Sequence, residues 1–158
     1  MVNEAKELGI NEVLDLVQKK LDVRNVQYAV EKSEGIVNVY FDKKNNFRCI
    51  ITEMDIQIEH LVGYRMFNLA EGYEYDIQSI DAAVEHIFKV MDNPLVQVEI
   101  YKFGKLCCTR QFLVINNERV SCSGLWIVNK LYFVPFIPKV TKEISYEYNG
   151  DFNIGDKI

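Results

Sequence analysis

The side chains with the widest chemical range in this 158-residue chain are two histidines and four cysteines. The histidines occur in matching dipeptides, Glu59-His60 and Glu85-His86, which together offer the parts of an acid/base or zinc site. Neither stands in His-x-x-x-His spacing, and Cys107-Cys108 lacks the Cys-x-x-Cys spacing of a zinc or redox centre. Counted from Ile80, Ile87 lies on an apolar helical stripe, so Glu85 and His86 are expected on its flank or toward solvent. Cys49, Cys107, Cys108 and Cys122 sit inside apolar strand-like runs and read as reduced, buried, small hydrophobes. A cysteine nucleophile would need Cys122 to meet His60 or His86 through the fold. Ser121 and Ser123 flank Cys122 without an acid-and-histidine context, and the chain has no Gly-x-Gly-x-x-Gly, Walker-type or Gly-x-Ser-x-Gly motif. The expectation is a protein with no catalytic residues, no metal and no cofactor.

Charge and aromatic placement say more. The chain carries a formal charge of −5 and a pI near 5.1, which gives no overall attraction to phosphate backbones, so nucleic acid is not expected as a partner. Between Glu53 and Glu85 stand eight acidic residues and one basic residue, Arg65. Within that run Glu71, Tyr73, Glu74, Tyr75 and Asp76 alternate acids with tyrosines around Gly72, a pattern suited to lysines and arginines of a basic partner and equally to a solvated loop. The second candidate surface is the near-continuous apolar run 125–136 with Trp126, Tyr132 and Phe133. It reads as a buried hairpin or, if uncovered, as a dimer or membrane-surface contact. Pro135 and Pro138 place the end of its second strand there, or an edge.

These residues need elements to position them. Ile10, Val13, Leu14, Val17 and Leu21 predict an amphipathic helix over 11–21. Ser79 as N-cap, the stripe Ile80, Ala83, Val84, Ile87 and Met91, and Asn93-Pro94 as the stop predict a second over 79–92. Between and after them, short β-rich runs separated by turn residues predict strands over 26–32, 36–41, 47–53 and 59–69, then an antiparallel meander from 95 to 148. A shift of 70 residues brings Ile10 onto Ile80, Asp22 onto Asp92, Val26-Gln27 onto Val96-Gln97 and Lys32 onto Lys102, consistent with two pseudo-repeated helix-plus-hairpin halves. The expected class is α+β, a single domain over 1–148 with a loose tail over 149–158. A polar N-terminus and the lack of a ~20-residue apolar run predict a cytoplasmic protein without a membrane span.

The segment Ile80-Asp81-Ala82-Ala83-Val84-Glu85-His86-Ile87-Phe88, running into Val96-Gln97-Val98-Glu99-Ile100-Tyr101-Lys102-Phe103-Gly104-Lys105, resembles the helix-into-hairpin style of small bacterial toxin-immunity proteins. That resemblance implies an acidic, cytoplasmic, non-catalytic inhibitor that covers the active site of a basic toxin domain. Two other classes share the same residues. One is a secretion-chaperone-like homodimer that receives an extended client segment; the other is a small enzyme or ligand receptor using His60 and His86.

Overall fold

Apolar residues at every second position build the first sheet. The computed structural model describes residues 8–69 and 73–150, and the α+β expectation holds: two helices and two antiparallel sheets of five strands each. The chain divides into two units, Met1–Phe88 with Gly150–Ile158, and Lys89–Asn149.

In the first unit, α1 (Ile10–Asp22) precedes a meander of β1 (Ala29–Ser33), β2 (Ile36–Asp42), β3 (Phe47–Ile51), β4 (Asp55–His60) and β5 (Gly63–Asn68), paired in chain order. Register lines up Val37, Ile51 and Ile56 in one row and Val39, Cys49 and Ile58 in the next. All six are buried. A register shift between Tyr40 and Asp42 accompanies the next row, where the Phe41 and Phe47 rings meet at 4.9 Å between centroids. Val13, Leu14, Val17 and Leu21, spaced at three and four residues, bury the inner face of α1. On the other face Arg48 donates to Glu59 at 2.8 Å and to Tyr40 at 3.2 Å, linking three strands. The expected strand over 59–69 is instead interrupted: Leu61, at φ 55°, turns the chain between β4 and β5.

Helix α2 (Tyr73–Asp92) starts six residues before the predicted N-cap. Ser79 lies inside it, and its hydroxyl donates to the Asn68 carbonyl at 2.6 Å, so the side chain ties α2 to the end of β5. Lys20 on α1 forms an ion pair with Asp81 on α2.

The second unit has β6 (Leu95–Lys102), β7 (Lys105–Ile115), β8 (Glu118–Ser121), the two-residue β9 (Trp126–Ile127) and β10 (Lys139–Tyr146). It is not the meander that was expected. β10 returns to lie beside β6 over eight register pairs, giving the order β10-β6-β7-β8, with β9 on β7 as well. Buried Gln97 and Gln111 face one another in register, and Gln111 Nε2 donates to Gln97 Oε1 at 2.9 Å. Gln97 Nε2 in turn donates to Glu99 at 2.9 Å, and the Tyr101 hydroxyl donates to Glu99 at 2.6 Å. That ladder pairs the Gln97 amide at both its oxygen and its nitrogen and the Gln111 amide at its nitrogen, which lowers the cost of burying them. Asp22 and Asp92 both end helices, as the 70-residue shift suggests, yet β1 is an edge strand while β6 is interior.

Candidate functional site

The fold brings the two histidines together. His60 is the residue after Ile56 and Ile58 on the core-facing side of β4, because strand side chains alternate. His86 follows Ala83 by three residues and precedes Val90 by four, which widens the buried stripe of α2 beyond the one counted from Ile80. The expectation of a flank or solvent position for His86 is therefore corrected: both rings are buried. Their Nε2 atoms lie 3.2 Å apart, with Phe67 6.0 Å from the His86 ring centre. At that distance one Nε2 carries the proton and the other accepts it, so the line between them holds a single proton. A general acid or base must reach substrate directly or through one water, and this pair is turned inward. Among the described residues no group of three or more His, Cys, Asp or Glu side chains is placed to hold a metal ion.

All four cysteines are buried thiols, as expected. Burial pushes the Cys49 thiol up to about 12 and that of Cys108 upward as well. Their thiolates are scarce at neutral pH, the opposite of what a nucleophile needs.

Of the acidic run 53–85, the carboxylates of Asp55, Glu59 and Asp81 are engaged within the fold. Glu71 lies outside the described residues; Tyr73, Glu74 and Tyr75 begin α2, and their side chains are outside the description. Asp76 is 4% exposed, which removes it from the surface that the sequence suggests. Glu59 binds Arg48 and Asn46, Asp55 accepts from Thr52, and Asp81 pairs with Lys20.

The aromatic run 125–136 behaves in the opposite way. Only Trp126 and Ile127 pair as a strand, with Thr109 and Cys108 of β7. Lys130–Phe133 forms a short 3-10 turn capped by Asn129, whose side-chain oxygen accepts from the Leu131 amide at 3.0 Å. The reading of this run as a buried hairpin is thus corrected: Trp126 is 42% and Phe133 69% exposed, with Tyr132 half-buried against Phe133 at 5.4 Å. What holds the turn is a residue that the sequence did not single out. Lys102, buried at the end of β6, donates to the carbonyls of Tyr132 at 3.0 Å and Val134 at 2.9 Å. The local signal for a break was present in Asn129, Pro135 and Pro138; the lysine that anchors it, some thirty residues away, had none.

Searches with protein-family models, curated proteins and solved structures find no match to this chain. No helix among the described residues is long and apolar enough to cross a membrane.

Proposed function

We propose that this chain is a non-catalytic protein-binding domain that docks through the exposed segment 125–133, and that its role is that of an inhibitor of the toxin-immunity kind. The observation that carries the reading is the exposure of Leu125, Trp126, Ile127, Val128 and Phe133 on one connected stretch. Aromatic side chains held by a strand pairing and a capped turn present large apolar area at little entropic cost, the character of an interface anchor. The formal charge of −5 on the whole chain favours encounter with a positively charged domain, an attraction supplied by the first unit, with eighteen acidic and ten basic residues, and not by the basic second unit that carries 125–133. The inward-facing histidines and buried thiols support a function without catalysis.

The experiment replaces Trp126 with a photo-crosslinking phenylalanine analogue in the cell that makes the protein. A stoichiometric crosslink to a basic protein supports the inhibitor. Crosslinks to a second copy of the chain alone replace it with the homodimer reading, and diffuse crosslinks to many proteins overturn the surface as a specific site.

A further inference from the structure

The net negative charge of the chain conceals a basic region. Lys89–Asn149 carries eight basic and five acidic residues, and within 100–142 Glu118 is the only acid among seven lysines and arginines. Glu118 begins β8 opposite Ile115, the last residue of β7, at the end of the sheet remote from the β6–β7 turn.

The opposite end of that sheet is both basic and aromatic. Register places Lys105 and Lys139 on either side of Lys102, so three lysines stand side by side across β7, β6 and β10. Lys105 and Lys139 are exposed, as is Lys130 on the neighbouring turn. Between Lys102 and Lys105 the chain reverses through Phe103 and Gly104, at φ 52° and 71°. Phe103 is 74% exposed. A second tip is built from the same lysine. Val134 is held by the Lys102 ammonium and Lys139 by Lys102 in register, so 135–138 forms a short loop pinned at both ends to one residue. At its apex Phe136 has φ 67° and a fully exposed ring. A bulky residue in left-handed backbone is an outlier that persists only where the surroundings fix it.

We infer that this end of the second sheet docks on an anionic phospholipid surface, with Phe103 and Phe136 inserting at the headgroup–acyl boundary and Lys105, Lys130 and Lys139 contacting the headgroups. Two separate protruding rings flanked by cations suit a soft, planar, negatively charged interface, where apolar burial and headgroup attraction add. A protein partner would instead need a socket for each tip. The inference shares Lys130 with the docking segment 125–133 and otherwise rests on Phe103, Phe136, Lys105 and Lys139 outside it; it locates the domain at a membrane surface on which it can meet its target.

The test is sedimentation of the intact chain with vesicles of phosphatidylcholine alone and of phosphatidylcholine with one-third phosphatidylserine. Trp126, the sole tryptophan, reports folding of each variant. Asparagine tolerates left-handed backbone, so Phe103→Asn with Phe136→Asn removes the rings and keeps the turns. The expected results are salt-sensitive binding to the anionic vesicles only, a roughly tenfold or greater loss in the double asparagine variant, and a loss of about fivefold per lysine in Lys105→Gln and Lys139→Gln. Absence of binding to anionic vesicles, or equal binding to neutral ones, overturns the inference. So does binding unchanged by the asparagine pair, or polyglutamate binding as tight as vesicle binding, which would assign the surface to an acidic protein.

Discussion

The two units use similar residues to opposite ends. In β2, β3 and β4 buried positions alternate with less buried ones almost without a break, and the apolar members are interior. In β8, β9 and β10 every residue but Tyr146 is exposed, although Val120, Trp126, Ile127, Val140 and Ile144 are apolar. The difference is one of topology. In the meander one side of β2, β3 and β4 is covered, with α1 packed on β2 and β3, whereas β10 and β9 lie outside β6 and β7 and leave their own side chains uncovered. Apolar content alone therefore does not report the core; the pairing partner decides it.

The sharpest way to break this comparison is truncation of matched apolar residues in the two units. Phe47→Ala should lower unfolding free energy by about 3–5 kcal/mol, since it empties a buried ring position against Phe41. Val140→Ala, on exposed β10, should change it by less than about 0.5 kcal/mol. Urea titration checks both, and a Val140 effect approaching that of Phe47 would show that β10 is covered in solution.

The histidine pair tests whether the polar contact in the first unit is part of that core. His60→Leu breaks the Nε2–Nε2 bond and should destabilise by about 1–3 kcal/mol. Combined with His86→Leu, the double change should cost less than the sum of the singles, because the two nitrogens lose the same bond. Additive costs would mean that each ring is held by its other contacts and that the pairing is incidental.

In the second unit the corresponding anchor is Lys102. Lys102→Met retains most of the apolar stem and removes both bonds to the Tyr132 and Val134 carbonyls. The expected loss is about 1–2 kcal/mol, accompanied by a change in Trp126 emission and faster proteolysis within 130–138. Emission and cleavage identical to the parent chain would show that Asn129 capping suffices to hold the turn.

These residues also show what was legible in the sequence. Both helices and the α+β class followed from apolar spacing at three and four residues, and burial of the cysteines from their apolar surroundings. Burial of His60 is not among the expectations, since no strand is expected over 55–58, yet its signal is present: Ile56, Ile58 and His60 share one face of a period-two pattern. His86 was misplaced because the stripe was counted as a line from Ile80, when a helix packed in a core buries a wider band. The start of α2 was missed because Ser79 has the chemistry of a cap, and its hydroxyl is used for Asn68 instead. The 125–136 run reads as a buried hairpin because continuous hydrophobicity in strands means covered faces, with an exposed contact as the alternative; the exposed form is the one found. Its actual form depends on Lys102 and on the return of β10 to β6, contacts between residues distant in sequence that no local pattern encodes.

The smallest expected effect concerns the curl of the second sheet. Arg119 on β8 donates both ends of its guanidinium to Glu143 on β10, at 2.8 and 2.9 Å, joining the two ends of the path β10-β6-β7-β8. The bonds from Arg119 hold the Glu143 carboxyl below its usual range. A carboxyl whose folded pKa is depressed contributes stability that is present above its unfolded pKa and lost as pH falls through the folded one. The urea midpoint of the parent chain should therefore exceed that of Glu143→Gln at neutral pH. The gap should narrow as pH drops below the ordinary carboxylate range and close once Glu143 is protonated in the folded state. Both side chains are half exposed, so the gap should be small and should shrink with added salt. A gap that persists at acid pH would assign the role of Glu143 to packing rather than charge, and the curl of the sheet to its backbone pairing alone.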